Sequence, residues 1–110
     1  MAFTPYHNID GSNGVDVELL RPGDNANNIK SILITNIHDT ADATVSLFIQ
    51  DNPTAASAST FYILYTVAIP SDTSLLLDNS NMLSFNNSSN GYGLYATVGS
   101  SDTINIMITK

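Results

Sequence analysis

Cysteine is absent from this sequence, cations are few, and no run of apolar residues approaches membrane length. Without cysteine there is no disulfide and no thiolate metal site, and folding in a reducing cytosol is the expected setting. Only Arg21, Lys30 and Lys110 carry strong positive charge, against ten acids, for a net charge of -7. Such a surface repels phosphate backbones, because nucleic-acid binding relies on clustered Lys and Arg releasing counterions. Anionic membrane surfaces are disfavoured for the same reason. A spanning helix needs about 18 or more apolar residues in succession, and no segment supplies them. The opening Met1-Ala-Phe-Thr-Pro-Tyr-His7 lacks a basic stretch leading into an apolar run, so no signal peptide is expected. Charged residues of either sign make up only 12% of the chain, about half the usual share.

Small neutral polar residues take the place of the missing charges: thirteen Ser, eleven Thr and thirteen Asn. A surface of this kind does little to hold molecules apart by repulsion and suits a protein packed against neighbours. Hydrophobic residues reach 43% of the 110 residues, with many β-branched side chains, enough for one domain with one core.

Turn signals alternate with β-type runs along the whole chain. Breaks fall at Asp10-Gly-Ser-Asn-Gly14, Arg21-Pro-Gly-Asp-Asn25, His38-Asp-Thr-Ala-Asp42, Asp51-Asn-Pro-Thr54, Pro70-Ser-Asp72, Asp78-Asn-Ser-Asn81, Asn86 to Gly91 and Gly99-Ser-Ser-Asp102. The runs between them, near 15-20, 29-37, 43-50, 60-69, 73-77, 82-85, 92-98 and 103-109, predict about eight strands. That spacing is the pattern of an all-β sandwich or barrel, and no window holds a helical period. Alternation sends Ile32 and Ile34, Val45, Leu47 and Ile49, Leu94, Ala96 and Val98, and Ile104, Ile106 and Ile108 to a common interior. Residues 1-28 hold few apolar groups and read as an N-terminal arm with one short strand, leaving 29-110 as the sandwich domain.

One stretch departs from simple alternation. In Thr60 to Ile69, Phe61, Ile63, Tyr65, Val67 and Ile69 form one apolar face while Tyr62, Leu64 and Ala68 populate the other. Leu76 stands opposite Leu75 and Leu77 in the same way. A two-layer sandwich buries one face of each strand, so the second face needs cover from the N-terminal segment, the 51-59 loop or another molecule. Tyr62, Leu64 and Leu76 are therefore candidate subunit-interface residues, since Tyr on a flat strand is a common interface anchor.

Signals for chemistry are weak. Asp10-Gly-Ser-Asn-Gly-Val-Asp16 has calcium-loop residue types but the wrong glycine spacing, and Arg21 stands where a bidentate Glu belongs. Asp and Asn also close turns by bonding their own backbone, so no metal is expected there. His7 and His38 lie far apart in the chain; no Gly-x-Ser-x-Gly elbow accompanies His38-Asp39. Asp16 and Glu18 flank Val17 on one strand and do not face each other as a hydrolytic pair. Neither a catalyst nor a cofactor is expected. Asn86, Asn87, Asn90 and Tyr92 form a candidate recognition loop in which the Tyr92 ring stacks on a sugar; ordinary hairpin chemistry accounts for the same residues.

From Ser31 onward the chain resembles short virion structural proteins of tailed phages, particularly those of cyanobacterial and other marine hosts. The resemblance rests on Ser31-Ile-Leu-Ile-Thr-Asn36, Ala43-Thr-Val-Ser-Leu-Phe-Ile49, Phe61-Tyr-Ile-Leu64, Val67-Ala-Ile-Pro70, Ser74-Leu-Leu-Leu-Asp78, Gly93-Leu-Tyr95 and Ile104-Asn-Ile-Met-Ile108, and covers about 80 of the 110 residues. It implies a jelly-roll-like or immunoglobulin-like sandwich that decorates or cements a capsid surface, commonly as a homotrimer bound to the major capsid protein. A tail, neck or fibre component, and a carbohydrate-binding module for host adsorption, are the alternatives. Residues 1-30 fall outside the match, and the second face at Tyr62, Leu64 and Leu76 would meet a neighbouring subunit.

Overall fold

The described residues form eight strands: β1 (Tyr6–Asp10), β2 (Asp16–Leu20), β3 (Ser31–Asn36), β4 (Ala43–Asp51), β5 (Thr60–Ile69), β6 (Ser74–Leu77), β7 (Tyr92–Val98) and β8 (Thr103–Thr109). The structure, a computed structural model, describes residues 6–11, 16–24, 29–38, 40–51, 59–79, 83–88, 91–99 and 102–109. The strands form two four-stranded sheets, ordered β1-β8-β3-β6 and β2-β7-β4-β5, with each neighbouring pair antiparallel. The all-β two-sheet sandwich expected from the turn spacing is the observed fold. The pairs β1 with β8, β2 with β7, β3 with β6 and β4 with β5 nest one inside the next, as when a single long hairpin folds over on itself. That is jelly-roll wrapping, and it differs from the immunoglobulin strand order.

Alternation explains the core. Ile32 and Ile34, Val45 and Leu47, Leu94, Ala96 and Val98, and Ile104, Ile106 and Ile108 all face the space between the sheets, none more than 3% exposed. Each large side chain of this set contributes about 1.5 to 3 kcal/mol by leaving water. Ile49 sits at the margin of the same cluster.

Two expectations are corrected. The described residues among the first 28 hold two strands where one was expected, and each belongs to a different sheet: β1 pairs with β8 along its whole length and β2 pairs with β7. The stretch Tyr6-His-Asn-Ile-Asp buries only Ile9 fully, so its periodic signal is faint; the β8 backbone gives it its partner. The segment expected as a strand over 82-85 has none among its described residues 83–85. Leu83 is buried and Phe85 packs on the core from a turn and loop, so an i, i+2 apolar pair imitates a strand there; residue 82 lies outside the described residues.

Buried asparagines close two corners of the sandwich. Asn36, 1% exposed, donates from Nδ2 to the carbonyls of Ala41 (2.8 Å) and Ile69 (3.0 Å), and its Oδ1 accepts from the His38 N–H at 3.0 Å. It thereby ties the end of β3 to the approach of β4 and the end of β5. Replacing Asn36 with Ala strands two carbonyls and one N–H in a largely buried place. Asn36→Ala is expected to cost about 2 to 4 kcal/mol in urea unfolding, and a loss below about 0.5 kcal/mol would show that the clamp is not needed.

Candidate functional site

With the core facing inward, the outer faces of the sheets are where function must be sought. On the β1-β8-β3-β6 sheet, Tyr6 pairs with Met107, Met107 with Leu33, and Leu33 with Leu76. These four residues make one apolar row straight across all four strands. Tyr6 is 69% exposed, Leu76 53% and Met107 42%, and Leu33 is half-buried. The next row, Asn8, Asn105, Thr35 and Ser74, is neutral and polar, with the Thr35 and Ser74 hydroxyls bonded at 2.9 Å.

On the β2-β7-β4-β5 sheet the outer face carries an aromatic ladder. Phe48 of β4 lies opposite Tyr95 of β7 and Tyr62 of β5, with ring centroids at 5.8 and 5.3 Å. Tyr65 meets Tyr62 edge-on at 4.8 Å. The ladder runs from buried rings, Phe48 and Tyr95, to exposed ones, Tyr62 and Tyr65, on the edge strand β5. Phe61, also exposed, stands opposite Ile49 and so lies on the other side of the sheet from the ladder, at its margin, where it meets Tyr92 edge-on at 5.9 Å.

Register explains which β5 side chains reach the outside. Val45 and Leu47 stand opposite Val67 and Leu64, and Leu47 and Phe48 opposite Leu64 and Tyr62. Twice, β5 spends one residue more than β4. Each such bulge exchanges inner and outer faces. Thr66 sits at the first, at φ 49°, a conformation costly for a β-branched residue, and its N–H donates to the Ser46 hydroxyl at 2.9 Å. The bulges also blunt an exposed edge strand against ladder-type aggregation.

The candidate interface residues are therefore not one patch. Tyr62 is exposed on the second sheet and Leu76 on the first, while Leu64 turns inward opposite Leu47 and packs against the core. The bulges place Leu64 inside and Tyr65 outside, the reverse of strict alternation. In the candidate recognition loop, Asn87 is fully buried. Its Nδ2 donates to the carbonyls of Arg21 and Tyr92, both at 2.8 Å, so it clamps β2 to the start of β7. Asn86 is exposed; its Oδ1 accepts from the Ser88 N–H at 3.0 Å and its carbonyl from the Tyr92 N–H at 2.7 Å. Tyr92 is half-buried against Phe61, and Asn90 lies outside the described residues. This geometry turns the loop's polar groups on the chain itself.

Chemistry-bearing residues are similarly engaged. The His38 Nδ1 accepts the N–H groups of Thr40 and Ala41, both at 3.1 Å, and so caps a turn. Asp16 accepts from the Thr97 hydroxyl at 3.0 Å, and Glu18 accepts from Arg21 Nε at 2.9 Å in an exposed pair of the kind worth little. No group of three metal-ligating side chains occurs among the described residues. A depression of about 140 Å³ is lined by Tyr6, His7, Asn8, Asn105, Ile106 and Met107, with no carboxylate among them.

Neither protein-family models, nor curated proteins, nor solved structures give a match to this chain. The faces must speak for themselves. Sequence reasoning passed over Tyr6, Leu33, Met107 and Tyr65. For Leu33 and Met107 the signal was present: Ile32-Leu-Ile34 and Ile106-Met-Ile108 are apolar on both faces, as Leu75-Leu-Leu77 is. Tyr65 was hidden by a bulge that periodicity does not register.

Two of these side-chain placements can be checked directly. Leu64→Asp puts a charge against the core and is expected to unfold the chain or cost about 3 kcal/mol or more, while Tyr62→Asp keeps native far-UV dichroism and changes stability by less than about 1 kcal/mol. Equal effects from both would contradict the bulged register. The second concerns Tyr95, whose hydroxyl is buried without a hydrogen-bond partner. Burial, with the nearby carboxylates of Glu18 and Asp16 adding to it, raises this phenol above its ordinary value of 10.0. The folded state thus holds the proton more tightly than the unfolded chain. The stability that this contributes is complete below pH 10.0 and is lost as pH rises through the folded value. Tyr95→Phe is expected to be neutral to about 1 kcal/mol more stable at pH 7 and to show a shallower alkaline loss than wild type; identical alkaline profiles would contradict it.

Proposed function

We propose that this chain is a virion structural protein of the capsid decoration or cement kind. It binds the assembled shell formed by the major capsid protein and bridges neighbouring capsomers. One observation carries the reading: a sandwich whose core is already closed presents uncovered apolar side chains on the outer faces of both sheets. A bridging piece needs adhesive surfaces pointing in different directions, and the apolar row and the aromatic ladder lie on opposite sides of the molecule. The ladder end at Tyr62 and Tyr65 is the shell-binding surface in this reading. Tyr is an effective interface anchor, since its rigid ring offers large contact area.

The low charge supports the same reading, because neutral polar groups around an apolar patch are inexpensive to desolvate. A tail, neck or fibre position uses the same faces and differs in copy number. The carbohydrate reading draws no support from Asn87, which is buried as a clamp, or from Tyr92, whose ring is committed to Phe61.

Binding to the assembled state stabilises that state by linkage. Purified chain is expected to co-sediment with assembled shells and not with free capsid subunits, and to raise the temperature at which the shells release their contents. Tyr65→Asp is expected to weaken co-sedimentation at least about tenfold, the loss of one interface anchor, with the fold intact. Equal binding to free subunits, or undiminished binding by Tyr65→Asp, would overturn the assignment.

A further inference from the structure

The outward side chains of the β1-β8-β3-β6 sheet are Tyr6, Asn8 and Asp10 on β1, Thr103, Asn105, Met107 and Thr109 on β8, Ser31, Leu33 and Thr35 on β3, and Ser74 and Leu76 on β6. Asp10, at one corner, is the only charge among them. On a chain of net charge -7 this is a surface on which a like-charged copy can rest with little repulsion. The outer face of the other sheet carries Asp16 and Glu18, both exposed.

We propose that two copies of this chain meet through this face, about a two-fold axis lying in the face and parallel to the strands. That rotation lays β1 over the β6 of the second copy and β8 over its β3. The apolar row then falls on itself: Tyr6 of one copy meets Leu76 of the other, and Met107 meets Leu33. Large thus meets small at the ends, and the two central, closest side chains meet in the middle. Aligned face-to-face packing at about 10 Å is the arrangement the two sheets inside each sandwich already use, and the contact is isologous, so it closes on itself.

The area limits the strength. Four strands about 4.8 Å apart and five to seven residues long give a footprint of roughly 400 Å² per copy. That is at the weak end of specific interfaces, so the pair dissociates in the micromolar to millimolar range. Because the remaining charge is repulsive, added salt strengthens the pair.

The pairing concerns the isolated chain and does not depend on any shell. Its consequence does rest on the decoration reading: with the first sheets joined in the middle, the two aromatic ladders point outward on opposite sides, and the pair can hold two capsomers. A pair that binds no shell would overturn decoration and leave the pairing; a strictly monomeric chain that binds shells would do the reverse.

Sedimentation velocity from about 10 µM to about 1 mM, a range matched to such weak association, tests the proposal. Wild type is expected to pass from monomer to dimer, more readily at high salt. Met107→Glu and Leu76→Glu are expected to weaken the dimer at least about tenfold with native far-UV dichroism, while Tyr65→Glu leaves it unchanged. Should Met107→Glu unfold, Leu76→Glu on the edge strand gives the answer. The chain has no cysteine, so a Tyr6→Cys, Leu76→Cys double variant supplies a direct check. Within one chain these positions are three strands apart, about 14 Å, beyond disulfide reach of about 7 Å; oxidation should give a covalent dimer. A monomer throughout, a trimer, association that follows Tyr65 instead of Met107 and Leu76, or no cross-link overturns the proposal.

Discussion

A strand has two faces, and a two-layer sandwich buries only one of them. Most features of this molecule follow from that limit. The inner faces of β3, β4, β7 and β8 supply Ile, Val, Leu and Ala at every second position and close the core. What stands at the intervening positions is left to water or to another molecule. Here those positions hold an apolar row on one sheet and an aromatic ladder on the other, with small neutral side chains around them. The molecule's chemistry is thereby concentrated on its outside.

Jelly-roll nesting supports this arrangement from both sides. β4 and β7 lie in the middle of one sheet, β8 and β3 in the middle of the other, so the central residues of both outer features sit on strands paired on each side. Polar clamps help to hold the loops between, alongside the loop side chains Leu83 and Phe85 that reach the core. Asn36 and Asn87 each bond two carbonyls from different segments, and Asp102 accepts the Thr44 N–H at 3.0 Å while its carbonyl accepts from Gly11 at 2.7 Å. Residues that look, in a list, like a reservoir of recognition groups are here consumed in holding the corners. The abundance of Asn is partly explained by this use.

How far the sequence could be read depended on how local the governing physics was. The strictly alternating segments, such as Ile104-Asn-Ile-Met-Ile108, revealed both strand and inward face, because period two needs only neighbouring residues. β1 escaped notice because its strand character comes from the β8 backbone and not from Tyr6-His-Asn-Ile-Asp10 itself. Leu83 and Phe85 misled in the opposite sense, their spacing imitating a strand where a loop drops side chains into the core. The doubled apolar face at Tyr62 was a true signal of an outer surface, yet Leu64 did not belong to it. Two bulges on β5, visible only in its register against β4, reverse the parity in between. Leu76 is exposed on the outer face, but its row partners Tyr6, Met107 and Leu33 are distant in sequence, and only the strand order brings them into a row.

We propose that these outer faces attach the molecule to a viral shell in many copies. Counting the chain in purified tailed-phage particles, by quantitative mass spectrometry against the major capsid protein, tests this most directly. The copy number is expected to scale with the major capsid protein in a fixed ratio. A handful of copies per particle would move the chain to the tail or neck, and its complete absence from particles would contradict the claim outright.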